Sequence, residues 1–146
     1  MKRILAIDYG SKRTGIAVTD TAQIISSGLT TIRTHDIFTF LKEYLAKEQV
    51  ECIVVGDPKN LDNTPAESSA ATYQFIKRLK KTYPDLPVYM VDERFTSKMA
   101  FQTMIDGGLK KKDRQNKGTI DMVSAALILQ TFMEMKGAGR LPEPQL

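Results

Sequence analysis

The sequence predicts an α/β fold, a five-stranded mixed sheet flanked by helices on both faces, and three observations predict it. Apolar runs at residues 4–8, 15–19 and 24–32 follow one another across short polar links, which suits antiparallel neighbours. Two further runs, 52–55 and 88–91, are each reached through a segment with helical apolar spacing. Crossovers of that kind make strands one, four and five parallel. A last apolar stretch, about 120–135, reads as a helix whose stripe must pack on the sheet.

Taken in order, residues 4–8 form a fully buried strand that ends on Asp8 and turns at Tyr9-Gly10. Strands 15–19 and 24–32 are joined by the polar turn Asp20-Thr21-Ala22-Gln23. Ile37, Phe40, Leu41, Tyr44 and Leu45 recur at helical spacing over 36–48, with Asp36 as the expected N-cap. Strand 52–55 is closed by Gly56-Asp57-Pro58. The second helix is expected to show Tyr73, Ile76, Leu79 and Lys80 in its later turns and to stop at Tyr83-Pro84. Strand 88–91 follows. Thr96 or Ser97 would cap a short helix to about Ile105, ended by Gly107-Gly108, and residues 110–117 read as a lysine-rich loop. In the final helix Asp121, Ala125, Ile128 and Phe132 share one stripe, so Asp121 is aimed along the face that packs on the sheet. The small residues Ser124, Ala125 and Ala126 would let that helix come close. Residues 139–146, with two prolines, read as a loosely ordered tail after a single domain over 1–138.

Composition narrows the class. The chain has 146 residues, 42% apolar and 26% charged, enough for one domain with a real core. No segment approaches the roughly 20 apolar residues of a membrane span. The first residues lack the apolar core of a signal peptide, and a cytoplasmic location is expected. One cysteine, Cys52, excludes an internal disulfide, and with one histidine, His35, a Cys/His zinc site is disfavoured. Cys52 lies in an apolar run and reads as a small buried hydrophobe. The net charge of +4 is unevenly spread. Between Lys98 and Lys117 six basic residues face two acids, and Lys2-Arg3 and Lys12-Arg13 flank the first strand. Clustered positive charge points to a polyanion, against the plainer reading of a solvated charge run.

Three separated carboxylates, Asp8, Glu93 and Asp121, stand at the edges of elements. A carboxylate at the end of a buried element is costly unless a cation pairs with it. If the fold gathers all three, a hard divalent ion is the natural partner, since carboxylate oxygen suits magnesium or manganese. Each acid also has a plain structural reading. Asp8 suits a turn before Gly10, and Asp121 in a first helical turn complements the helix dipole. Asp92 and Glu93 are adjacent and face opposite sides of an extended segment, so only one can join a site, and the local pattern allows either. Gly10 and Gly15 let the backbone turn tightly and approach a ligand. Asp-Tyr-Gly-Ser is also similar to the phosphate loop of sugar kinases and actin-like ATPases, whose folds use two such lobes.

The architecture, with an aspartate ending strand one, resembles the ribonuclease H fold, and four blocks narrow the resemblance. IDYGSKRTGIAV, VGDPKNLDN, DERFTS and NKGTIDMVSAALIL look like the signature blocks of the YqgF (RuvX) family, in the family's order and across essentially the whole chain. The resemblance implies a ribonuclease H-like nuclease. The family is described both as Holliday-junction resolvases and as nucleases that mature the 5′ end of 16S ribosomal RNA. Its acidic triad maps onto Asp8, Glu93 and Asp121, which favours Glu93 over Asp92. The middle block departs from the family's VGLPxNMDG at Asp57, Leu61 and Asn63; the extra acid at Asp57 would disfavour a nearby phosphate or face solvent.

The reading that follows is a metal-dependent nuclease acting on structured RNA or branched DNA, with pre-ribosomal particles as the implied context and no membrane partner. Asp8 would be the central ligand of one or two Mg2+ or Mn2+ ions, with Glu93 and Asp121 completing the cage. Lys12, Arg13, Arg94, Lys110, Lys111, Lys112, Arg114 and Lys117 are the expected phosphate contacts, and Gly10, Asn60 and Asp62 the substrate loops. The rivals are a non-catalytic nucleic-acid-binding protein and a nucleotide-binding module. Bare carboxylates would repel phosphate without a metal, which counts against the first rival. The sequence sets no oligomeric state, although symmetric cutting of a four-way junction would require two active sites.

Overall fold

Strand alternation sorts the apolar side chains onto two faces, and each face recruits its own helices. The computed structural model describes residues 2–58, 69–92 and 117–145. Its elements are β1 (Arg3–Tyr9), β2 (Arg13–Thr19), β3 (Ser26–Arg33), a 3-10 turn (Thr34–Asp36), α1 (Ile37–Lys47), β4 (Val50–Asp57), α2 (Ser69–Thr82), β5 (Val88–Asp92) and α3 (Lys117–Gly137). The strands form one sheet in the order β3-β2-β1-β4-β5. β1 pairs antiparallel with β2, and β2 with β3, while β1–β4 and β4–β5 are parallel. The expected mixed five-stranded sheet is what forms.

Leu5, Ile7, Ile16, Val18, Ile53, Val55 and Val88 point to one face, where Ile37 and Leu41 of α1 and Phe75, Ile76 and Leu79 of α2 cover them. Ile4, Ala6, Ala17, Cys52, Val54 and Val91 point to the other, under Ala125, Ile128, Leu129 and Phe132 of α3. Burying each large side chain contributes about 1.5–3 kcal/mol, so both layers are strongly held. The stripe expected on the last helix is the stripe that packs. No helix of the described residues is long and apolar enough to cross a membrane.

Four expectations need correction. β3 starts at Ser26 and not at residue 24, because Asp20 Oδ1 accepts hydrogen bonds from the Ile24 and Ile25 amides at 2.7 and 2.8 Å. Those donors are thereby taken from the ladder, and both isoleucine side chains stay exposed. The buried face of α2 is Thr72, Phe75, Ile76 and Leu79. Tyr73 and Lys80 lie off it; two stripes share Ile76, and the phenol of Tyr73 needs a polar partner, which it finds in Asp57 at 2.8 Å. Asp36 stands at the N-cap position of α1 without a side-chain cap bond, since a 3-10 turn already leads into the helix. Lys117 is the first residue of α3 and does not belong to a loop. The short helix expected from Thr96 or Ser97 and the loop 110–116 lie outside the described residues.

The Asp20 turn is testable. Hydrogen bonds from Ile25 and Ile24, in that order, hold its carboxyl below the usual 3.8. A depressed folded pKa stabilises above the unfolded value and is lost as pH falls through the folded one. Amide exchange at Ile24 and Ile25, after correction for intrinsic rates, is expected to show protection that disappears in Asp20→Ala and is lost in the wild type as pH falls through the lowered pKa of that carboxyl. Equal protection in the variant would remove the carboxylate from the turn.

The far end of the sheet is tied by Lys136, whose Nζ donates to Glu51 Oε2 at 2.8 Å and to Gln23 Oε1 at 2.9 Å. In the tail, the Gln145 amide donates to the Val88 carbonyl at 2.7 Å, so the chain end reaches the outer edge of β5.

Candidate active site

Asp8 is the next-to-last residue of β1, paired with β2 and one residue beyond the last registered pair of β1 with β4, Ile7 with Val55. Ile4 and Ala6 face α3, and alternation puts Asp8 on the same face; Leu5, Ile7 and Tyr9 face α1 and α2. Across the ladder Asp8 is registered with Gly15, which puts the two Cα atoms about 4.5–5.5 Å apart. Gly15 is where α3 touches the sheet. A Cβ built on Gly15 would overlap the carbonyl oxygen of Asp121 and lie 3.1 Å from its Cβ. Asp8 and Asp121 are therefore both neighbours of Gly15, one beside it in the sheet and one above it. Gly28 on β3 is a second such place, where an added Cβ would lie 3.2 Å from Met122 Cβ, and Ser26 Oγ donates to the Ala126 carbonyl at 2.7 Å. The close approach foreseen from small residues on the helix is shared with two glycines on the strands.

Arg13, also on this face, donates from Nε to Asp121 Oδ2 at 3.1 Å. With 42% and 22% of the two side chains exposed, the pair is screened and contributes at most about 1 kcal/mol. Its importance is positional. A cation already sits against Asp121, where the sequence asks for one.

The loop after β1 is fixed by threonines that sequence reasoning did not single out. Thr34 Oγ1 donates to the Gly10 carbonyl at 2.6 Å, and its amide donates to the Lys12 carbonyl at 3.0 Å. Thr14 Oγ1 lies 2.8 Å from Thr34 Oγ1. A hydroxyl has one proton, and Thr34 gives its own to Gly10, so Thr14 is the donor between them. Gly10 is needed for space, since a Cβ there would overlap the Arg13 carbonyl. Neither carried a signal in the sequence, since the expected second strand began at Gly15 and Thr14 joins it only in the structure.

The alternation that aims Asp8 at α3 turns Asp57 and Asp92 the other way. They are registered with each other at the ends of β4 and β5 and belong to the α2 side. Burial, then the Asp57 carboxylate, pushes the Tyr73 hydroxyl above its usual range. Asp57 thus adds no charge beside Asp8, and Asp92 is not an acid of that face. Cys52 is buried, and loss of solvation first and Glu51 second push its thiol up to about 12, which leaves it inert as a soft ligand.

Among the described residues no three His, Cys, Asp or Glu side chains group as a metal site. Asp8 and Asp121 are the pair of expected acids placed together here, and their donors are carboxylate oxygens, which fit a hard cation. Glu93, Arg94, Lys110, Lys111, Lys112 and Arg114, together with Asn60 and Asp62, lie outside the described residues. Lys12 is exposed on the Gly10 loop, and Lys117 opens α3 four residues before Asp121.

The family model described as "RuvX: Holliday junction resolvase" matches residues 2–135. A Flavobacterium johnsoniae protein named "Putative pre-16S rRNA nuclease" is 57% identical over 136 residues, 93% of this chain and 99% of its own length. A Phocaeicola vulgatus protein of the same name is 56% identical, over 93% of this chain and 98% of its own. Among solved structures, T. thermophilus RuvC in complex with Holliday junction substrate matches with a TM-score of 0.64 at 17% identity, covering 99% of this chain and all of that one. Fowlpox virus resolvase with Holliday junction DNA matches at 0.59 and 10% identity, over 92% and 98%. These structures share the fold.

Proposed function

The chain belongs to the RuvX family, and from that premise we propose that it is a metal-dependent nuclease whose Asp8, Glu93 and Asp121 hold one or two Mg2+ or Mn2+ ions. The fold is ribonuclease H-like, and the family is one of nucleases. The observation that carries the site is the shared neighbour: Gly15 is registered with Asp8 and packed beneath Asp121. Divalent ions there would supply an activated water and charge neutralisation for in-line attack on phosphorus. Asp8, fixed by its pairing with Gly15 on β2, would hold its oxygens at a set height above the sheet. Asp121 would close the site from α3, and Glu93 would be the third carboxylate ligand. Arg13, already beside Asp121, would place its guanidinium where a substrate phosphate arrives. No covalent intermediate on the protein is required.

The substrate we propose is precursor 16S ribosomal RNA within pre-ribosomal particles, which would place the chain in the cytoplasm. Near-full-length relatives above 50% identity carry that name. The second reading, Holliday-junction DNA, is favoured by the description of the matching family. Purified protein should be offered precursor rRNA, four-way junctions and simple duplexes with Mg2+, Mn2+ or chelator. Metal-dependent trimming of the rRNA precursor is the expected result. Preferential symmetric cutting of junctions would select the second reading, and no cleavage of any substrate would remove the nuclease.

Arg94 and the basic run Lys110, Lys111, Lys112, Arg114 and Lys117 would hold the backbone of the substrate. Replacing Lys110, Lys111 and Lys112 by glutamine should weaken binding across sequences. Each lost phosphate contact should lower the slope of log affinity against log salt by roughly 0.7–0.9. Cleavage at saturating substrate should change far less. An unaltered slope would return the run to a solvated charge cluster.

A further inference from the structure

A strand cut at Asp8 must also be held on either side of the cut, and the sheet offers a second surface one residue away. Tyr9 follows Asp8 and points to the opposite face. Its ring stacks on Phe75, with centroids 4.4 Å apart and planes 16° from parallel. Phe38 leans on Phe75 at 5.6 Å and 59°. The Arg78 guanidinium sits 4.1 Å over the centre of the Phe38 ring. These groups line a cleft of about 600 Å³ between the Gly10 loop, the 3-10 turn, the start of α1, and α2. That volume lies within the range of small-molecule sites, roughly 300–1,000 Å³.

The rings alone would be ordinary core packing, as the buried Phe75 is. The rim is what packing does not explain. Ser11, Thr39 and Gln74 bring exposed hydroxyls and an amide to the same cleft as the exposed Arg78, while Tyr9 and Phe38 remain partly open. None of the described residues lining the cleft is acidic. Aromatic faces, hydrogen-bonding groups and a guanidinium without a lining carboxylate match one chemistry: an unpaired nucleobase with its flanking phosphate.

We propose that this cleft binds an unpaired base of the substrate strand, adjacent to the phosphate held at Asp8. The base packs against the open parts of the Tyr9 and Phe38 rings, both of which lean on Phe75, Gln74 and the hydroxyls read its edge, and Arg78 takes the next phosphate. The inference rests on the nuclease reading and adds a substrate class to it, a single-stranded segment beside the scissile bond. It also makes the β1–β2 loop, clamped by Thr34, the ridge over which the strand passes from one face to the other.

The test uses the full chain and a short single-stranded RNA carrying a fluorescent adenine analogue, with a matched RNA lacking that base. Binding is read by quenching of the analogue, and turnover by cleavage of the same strands. Arg78→Gln and Phe38→Leu, each checked by thermal unfolding, are the variants; Arg78 is exposed, so its replacement keeps the fold. Wild-type binding should quench the analogue, and removal of the base should weaken binding about tenfold. Either variant should raise KM by a similar factor, with kcat changed far less. Cleavage with unchanged KM in both variants and no penalty for the missing base would overturn the cleft while leaving the nuclease. Quenching that depends on Arg78 and Phe38, without cleavage by the wild type, would keep the cleft and overturn the nuclease.

Discussion

Asp8→Asn is expected to reduce metal-dependent cleavage by about a thousandfold while the protein stays folded. The substitution keeps the size of the side chain and removes one of the two carboxylates gathered around Gly15. Hard-ion affinity depends on charged oxygen donors, and metal catalysis supplies several kcal/mol of transition-state stabilisation, which is roughly 10²–10⁴ in rate. Asp8 lies on the face that Ile4 and Ala6 share with α3, beside the apolar residues that make the core but not one of them. The unfolding temperature without metal should stay level or rise slightly, because neighbouring carboxylates repel one another when no cation lies between them. Single-turnover cleavage with Mg2+ and Mn2+, set beside calorimetric titration of Mn2+ into both proteins, separates lost binding from lost chemistry. Normal turnover in a preparation free of host nuclease would take Asp8 out of the site.

Gly15→Ala is expected to be strongly damaging for a change of one methyl group. Its Cβ would be driven into the backbone carbonyl of Asp121, and a backbone atom cannot rotate aside as a side-chain end can. Either α3 lifts from the sheet, exposing some of the layer around Ala125 and Phe132, or β2 bends away from β1. Overpacking of this kind costs about 1–3 kcal/mol and more where neither partner yields. Both responses also displace Asp121 from Asp8, so cleavage should fall alongside stability. Gly137→Ala makes the matched control. Nothing lies within 4 Å of its added methyl at the end of α3, and stability there should hold or rise by about 0.4–1 kcal/mol. Denaturant unfolding of the two variants gives the comparison. A Gly15→Ala protein as stable as Gly137→Ala would mean that α3 does not seat on Gly15.

The periodicity of the chain determined a great deal of this. Continuous apolar runs at β1 and β4 could only be strands covered on both faces, and helical crossovers between parallel strands fixed their direction. The stripe Ala125, Ile128 and Phe132 told which side of the last helix is buried, and it carried Asp121 to the sheet with it. The position of Asp8 at the end of β1 was readable for the same reason: the apolar run stops there.

Tertiary structure decided what lies against what. Gly15 beneath Asp121, Arg13 on the Asp121 carboxylate 108 residues away, and Thr14 on Thr34 join segments with no local relation, and no spacing rule contains them. It also chose between patterns that the sequence left equal. Tyr73 stands at helical spacing with Ile76, and the phenol's need for Asp57 put it outside the buried face; Ile24 and Ile25 looked like strand, and one carboxylate at Asp20 took their amides. Hydrophobic period reports which side of an element is dry. Which neighbour makes it dry, and which polar group is satisfied there, depends on contacts that exist only once the chain has closed on itself.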